Sequence, residues 1–309
     1  MARWLATRVA SALAALLGAV TVIFVLVHLA GDPISGLVPP GSAPEDVARA
    51  RAAYGLDRPL PAQYLDFLGR AARFDFGRSW RQGRPAIDAV LDRLPATLLL
   101  VGAATAIALV AGSALGILAA ARPGSPWDWI ASSVSLAGQA MPAFLLGGLL
   151  MLLFAVRLRW LPASGFDGWP SLVLPAVTLA AFPLATTIRL ARAAVAGELG
   201  QDYVRTARGK GLSPRRAITG HVLRNAALPV LAFTGFQAAF LVSGAAVVES
   251  VFAWPGVGQL ALAAVADRDL PVIQAFAMVV AVALCLVNGT TDAVARWLDP
   301  RLREQGGAA

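Results

Sequence analysis

Long apolar stretches alternate with shorter polar segments along this chain. A hydrocarbon core of about 30 Å needs about 20 apolar residues in a helix, because unsatisfied backbone groups are costly in lipid. Residues 9–30, 96–121, 130–156, 172–188, 228–251 and 272–294 meet or approach that length. The pattern predicts an all-α membrane protein with six transmembrane helices. The fourth stretch is short and carries Pro175 and Pro183, which neighbouring helices can accommodate by taking up the freed backbone groups. The first stretch follows Arg3 and Arg8, as in a secretory signal. Signal cores run only about 7 to 15 apolar residues, so a retained helix is expected.

The segment 31–94 contains three short helical patterns punctuated by proline and glycine. The first starts at Pro44, carries Glu45 and Asp46 in its first turn, and meets Gly55 after Tyr54, the polarity expected of a helix. From Pro61, residues Tyr64, Leu65, Leu68 and Ala72 share a face, as do Ile87, Val90, Leu91 and Leu94 after Pro85. The segment is therefore expected to fold, either as a cap over the outer mouth or as a landing surface for a soluble partner.

Composition agrees with lipid as the solvent: 58% of the 309 residues are hydrophobic and 14% charged, against about 25% charged in an ordinary soluble domain. The net charge of +8 takes its meaning from where the basic residues fall, and it does not point to nucleic acid. With the amino terminus inside, the cytoplasmic segments hold Arg3, Arg8, Arg122, the cluster from Arg189 to Arg224, Arg296, Arg301 and Arg303. Only Arg157, Arg159 and Arg268 fall in the short outer loops, which predicts cytoplasmic termini. The nine Arg of segment 31–94 stand against eight acids, and long loops translocate largely regardless of charge. Cys285 is the single cysteine, so neither a disulfide framework nor a thiolate cluster is expected, and no metal or cofactor site is predicted.

The polar stretch most informative about function is 191–225, between the fourth and fifth spans. Asp202 can complement the amino end of a short helix, Tyr203, Ala207 and Gly211 recur at every fourth position, and Gly211 suits a left-handed stop. Ser213-Pro214 then reads as a fresh N-cap with proline in the first turn. A short cross-helix joined to two spans by tight turns would act as a lever. The plainer reading is a basic loop whose arginines meet lipid headgroups.

These residues run Tyr203-Val204-Arg205-Thr206-Ala207-Arg208, then Lys210-Gly211-Leu212, then His221, Leu223-Arg224-Asn225-Ala226 and Leu228-Pro229. This order resembles the inner-membrane permeases of dipeptide, oligopeptide and nickel ABC importers, in their first-permease subgroup. The likeness extends to Gly31-Asp32-Pro33, residues 55–60, Gln63-Tyr64, residues 75–79, residues 249–258, residues 268–274, Asn288, Asp292 and Asp299-Pro300-Arg301. One departure is that Arg205-Thr206-Ala207 stands where the generic family loop has Glu-Ala-Ala. That change weakens any salt bridge assigned to a Glu there.

The resemblance implies a type I fold and a permease subunit in the cell inner membrane, forming the path for peptides or related small solutes, possible nickel chelates included. It implies a heterodimer with a second permease, two cytoplasmic ATPase subunits, an extracytoplasmic solute-binding protein and surrounding membrane lipid. It divides the chain into residues 1–94, a transmembrane domain 95–299 with the coupling loop 191–225, and a tail 300–309. The ATPase-coupling residues would be Asp202, Tyr203, Arg205, Thr206, Ala207, Lys210 and Gly211, with Gln139, Met141 and Gln237 as pore-lining candidates.

No Gly-x4-Gly-Lys-Ser/Thr loop occurs, and the only lysine is Lys210. ATP hydrolysis is therefore expected in separate subunits. An ion-coupled carrier or channel is the alternative, although such proteins usually carry ionisable groups or broken helices near mid-membrane. A membrane enzyme is disfavoured: His28 and His221 are far apart in sequence, and no paired acids or nucleophile-base arrangement occurs within a span.

Overall fold

A computed structural model describes residues 2–29, 43–53 and 55–298. Gly31-Asp32-Pro33, Tyr54, Asp299-Pro300-Arg301 and the tail 300–309 lie outside the described residues, as do the side chains of Asn288 and Asp292. The described chain is helical, with one isolated bridge between Arg78 and Pro85. Four helices are long and apolar enough to cross a membrane, or up to six elements if each of two bent pairs is one span.

In chain order the helices are α1 (Ala2–Leu29), α2 (Pro44–Ala53), α3 (Leu60–Ala71), α4 (Ala86–Leu91) and α5 (Leu94–Ala121). There follow α6 (Pro126–Ala140), α7 (Ala143–Leu150), α8 (Trp169–Leu199), α9 (Asp202–Gly209), α10 (Pro214–Ala217), α11 (Leu223–Val251), α12 (Val257–Ala266) and α13 (Leu270–Leu298). Wider π-helical turns extend α7 over Met151–Arg157 and join α10 to α11 over Ile218–Val222.

Two departures from the sequence pattern have physical causes. The stretch 130–156 is not one straight helix, because α6 and the α7 segment meet at 112°. Met141 is extended (φ −89°, ψ 124°) before Pro142, since the proline ring disfavours helical backbone at the preceding residue. The stretch 172–188 is part of a 31-residue helix running through both prolines. Two-thirds of its apolar window (67%) is buried, with α6, α7 and α11 packed around it. A 54° bend also separates Ile218–Ala238 from Phe240–Val251, and the ten-residue apolar α12 was not anticipated.

The chain forms two compact units. One comprises Met1–Thr97 and Pro255–Cys285, the other Leu98–Trp254 and Leu286–Ala309.

In the first unit, segments distant in sequence are joined by buried polar groups. The Asp269 carboxylate is 2% exposed and accepts from Ser79 Oγ, the Trp80 N–H (3.2 Å) and the Arg81 N–H (3.3 Å). Gln63 donates to the carbonyls of Leu56 (3.3 Å) and Arg58 (2.8 Å), while its Oε1 meets His28 Nε2 at 3.1 Å. Tyr64 Oη lies 2.7 Å from Thr21 Oγ1. Phe24, Phe67, Ala86, Val90, Leu260 and Val272 belong to the apolar cluster of this unit.

In the second unit α8 is the axis, and small residues let its neighbours approach. A Cβ on Gly116 of α5 would stand 2.6 Å from the Ile188 carbonyl oxygen, and one on Gly138 of α6 would stand 2.6 Å from that of Ala181. Membrane helices gain little from burying apolar surface against each other, so close van der Waals contact through small residues holds them together. After α11 the chain turns at Ala253 (φ 48°), and fully buried Trp254 meets Phe166 edge-on at 4.7 Å.

Three outcomes follow from this packing. Gly116→Val should force α5 from α8 and destabilise the purified protein by about 1–3 kcal/mol of overpacking, read as a lower thermal midpoint. Gly102→Val, where a Cβ meets nothing within 4 Å, should leave that midpoint nearly unchanged in the same thermal-shift assay. Asp269→Ala should cost about 3 kcal/mol or more, since three donors lose a buried charged acceptor; equal midpoints for this variant and the wild type would contradict the role given to the carboxylate.

Candidate functional site

The loop between α8 and α11 builds a compact joint. α9 starts after extended Gln201 (φ −73°, ψ 150°). Asp202 in its first turn complements the positive helix end. The Arg205–Asp202 pair spans 3.5 Å with both side chains largely exposed, so it contributes little. At the other end the Gly211 N–H donates to the Arg208 carbonyl (2.9 Å) and the Leu212 N–H to that of Ala207 (3.2 Å). With φ +87° at Gly211, this is the paired-bond stop in which a left-handed residue satisfies the last carbonyls. Ser213 Oγ then accepts from the Arg216 N–H at 3.4 Å, starting the next helix.

The face shared by Tyr203, Ala207 and Gly211 is not the one that α9 buries most deeply. Val204, not Tyr203, is its buried residue, at 1% exposure, and Ala207 is half-buried. Val204 clusters with Ala120 of α5, Val195 of α8, Val222, and Ala226 of α11. Ile117, Leu199 and Leu223 pack around that cluster. One side chain of the short helix is thus inserted among three long ones.

Tyr203 sits at the edge of this joint and ties its ends together. Its hydroxyl donates to Glu198 Oε2 at the end of α8. Asn225 of α11 donates from Nδ2 to Tyr203 Oη (3.3 Å) and to Glu198 Oε2 (3.4 Å). Burial, then the hydrogen bond to Glu198, push the phenol above its ordinary value of 10.0, with the Glu198 charge adding to the rise and Asn225 opposing it. The hydroxyl therefore stays a proton donor across the physiological range. The outer face of α9 and its end carry Arg205, Thr206, Arg208 and Lys210, all exposed.

Sequence reasoning missed Val204, Glu198 and Asn225 as parts of one joint. Asn225 was visible in the motif, but its partner depends on how the chain turns at Gly200 and Gly211.

The pore-lining candidates fall in two places. Met141 and Gln237 line one cavity of about 440 Å³, together with Thr178, Phe182, Phe236 and Phe240. Gln237 donates to Thr186 Oγ1 at 2.6 Å, and its buried Oε1 has no hydrogen-bond partner. Gln139 lines a different cavity, with Ser132, Ser135, Arg189 and Arg192. Among the described residues no group of three or more His, Cys, Asp or Glu is arranged to hold a metal.

The geometry defines a helical membrane protein with a small cross-helix seated between the ends of three long helices. Residues 112–304 match the family described as the binding-protein-dependent transport system inner membrane component, and residues 1–101 match its amino-terminal counterpart; the chain belongs to that family. The glutathione transport system permease protein GsiC of Escherichia coli (strain K12) is 38% identical over 282 residues, covering 91% of this chain and 92% of that one. A protein of Brucella suis biovar 1 (strain 1330) named as a peptide permease is 38% identical over 317 residues, covering 98% and 99%. An inward-facing form of the MetNI methionine ABC transporter shares the fold, with a TM-score of 0.55 at 16% identity over 68% of this chain and 96% of that one.

The protein is accordingly an inner-membrane permease subunit of an ABC importer. It is not the ATPase, and the family works with an ATPase, a binding protein and another permease. Family membership removes the ion-coupled carrier from consideration.

The Tyr203 phenol should titrate above 10.0 in the difference absorbance between wild type and Tyr203→Phe. Because the fold holds this proton, the associated stability is present below the unfolded value and is lost as pH rises through the folded one. Glu198→Gln should bring the midpoint part of the way back toward the ordinary value; no movement would contradict the part assigned to Glu198.

Proposed function

We propose that α9 is the point at which an ATPase pair pushes on this permease. Asp202, Tyr203, Arg205, Thr206, Ala207, Lys210 and Gly211 form the contact and its turn. The observation that carries this reading is Val204 seated among α5, α8 and α11, beside the Glu198–Tyr203–Asn225 network. A displacement of α9 is passed to the ends of α8 and α11 together, because packed side chains transmit strain with little compression. ATP-driven closure of the motor subunits thereby switches the membrane path between outward and inward access.

Both termini are cytoplasmic in this reading and segment 31–94 is extracytoplasmic, in keeping with the arginine distribution. The chain pairs with a second permease as a heterodimer, above two ATPase subunits and below a solute-binding protein. Residues 1–94 form the amino-terminal span and outer segment, 95–299 the transmembrane domain, and 300–309 the tail.

The cargo is a short peptide or a glutathione-like molecule. Two relatives are named for such cargo. The cavity of about 440 Å³ holding Met141 and Gln237 falls within the usual size of small-molecule sites, about 300–1,000 Å³. Its largely apolar wall and one free amide oxygen suit varied side chains with one backbone N–H as a common anchor.

In the reconstituted importer, Val204→Ala and Gly211→Val should each reduce solute uptake by about tenfold or more, a loss of about 1.4 kcal/mol in coupling, while insertion and basal ATP hydrolysis persist. Wild-type uptake in both variants would refute the lever. Separately, a cysteine replacing Arg205 in a Cys285→Ser background should react with an impermeant maleimide only from the cytoplasmic face; labelling from outside would overturn the orientation.

A further inference from the structure

The cavity that holds Gln139 belongs neither to the joint around α9 nor to the cavity of Gln237. It lies between α6 and α8, has a volume of about 260 Å³, and its polar lining is Ser132, Ser135, Gln139, Arg189 and Arg192. On α6 the three polar residues recur at i, i+3 and i+7, which places them on one helix face. On α8 the two arginines are three apart and share a face in the same way.

The lining carries two guanidinium groups and no carboxylate. Arg192 is committed to Asp128, at 2.8 Å, and that carboxylate also receives the Gly124 N–H at 3.0 Å. Arg189 has no hydrogen-bond or ion-pair partner among the described residues. Ser135 is 4% exposed, and its Oγ also has none. A buried hydroxyl ordinarily finds a partner in a protein interior or on ordered water, and a helical serine can reach the carbonyl one turn back. This one has no such partner in the protein, and it borders a hollow that the exposed Arg189 guanidinium also borders.

We propose that this cavity binds a phosphate group, carried by an anionic phospholipid headgroup or free in solution. The Arg189 guanidinium presents a planar fork of donors that matches phosphate oxygens in pairs. Ser135 Oγ, Ser132 Oγ and the Gln139 amide supply further donors from α6, so the lining approaches an anion from two helices. A phosphate offers acceptors in as many directions, whereas a carboxylate lies in a single plane. Leu136 and Ile188 also line the cavity and provide an apolar wall for the carbon chain of a headgroup. Basic pockets between membrane helices are known to hold lipid phosphates in this way.

The test uses the importer assembled with its partner subunits. Released from nanodiscs of phosphatidylglycerol and phosphatidylcholine, the wild-type complex should retain phosphatidylglycerol in native mass spectra. Arg189→Gln should cut that occupancy by about fivefold or more, given the strength of charge-assisted bonds, and Ser135→Ala by a smaller factor. Arg189→Lys should keep part of it, and Arg208→Gln, in the exposed loop, should keep all of it. In detergent without phosphatidylglycerol, inorganic phosphate should raise the thermal midpoint of the wild type and not of Arg189→Gln.

Retention of the lipid that depends on Arg189 assigns the headgroup as the source. Phosphate stabilisation that depends on Arg189, without lipid retention, assigns free phosphate, and either result supports the site. Lipid retention and phosphate stabilisation both insensitive to Arg189 and Ser135 would overturn it, as would acetate stabilising the wild type as well as phosphate does. If Arg189→Gln fails to assemble, the wild type decides: no retained phosphatidylglycerol and no phosphate effect beyond that of chloride overturns the proposal.

Discussion

The closeness with which neighbouring helices approach α8 governs the unit that carries the joint around α9. In lipid the hydrophobic effect does not press helices together, so contact must come from backbone proximity and a few polar bonds. Gly116 and Gly138 stand where any side chain would collide with the α8 backbone. Because α5 and α6 lie so near, the ends of α5, α8 and α11 converge on a hollow that fits one valine. Val204 fills it, and the short helix α9 is thereby held at a defined place and angle.

That placement explains how a helix of eight residues persists at this position. An isolated helix of this length is unstable in water, so α9 owes its persistence to its stop at Gly211, its buried Val204 and the hydroxyl of Tyr203. The same contacts make it stiff against the bundle. The three-way network of Glu198, Tyr203 and Asn225 closes the joint across its open edge, so that the two flanking spans share one attachment. The first unit shows a parallel economy. Asp269 gathers donors from a segment 190 positions earlier in the chain, so a single buried carboxylate ties the loop before α13 to the turn before α4.

The breaks in the helices are as informative as their lengths. Pro175 and Pro183 lie within α8, which is surrounded by other helices and stays continuous. Pro142 instead ends one helix and starts another at a steep angle. Proline chemistry is the same at all three positions. The difference lies in what the neighbours can repair, since a freed backbone group inside a bundle can be satisfied there, and one at a turn need not be.

Much was legible in the chain itself. Apolar length announced the membrane, the arginine distribution suggested an orientation, and Gly211 announced a left-handed stop, because each depends on local chemistry that neighbours do not alter. The motifs around Ser79 and Asp269 were also visible, but nothing in their spacing showed that they meet. The inward face of α9, the pairing of Met141 with Gln237 and the separation of Gln139 from both were decided by tertiary structure alone. They depend on the rotation of one helix against another, which is set by small-residue contacts summed over a whole interface. A one-position turn of a short helix exchanges Tyr203 for Val204 in the core, and no local pattern records that choice.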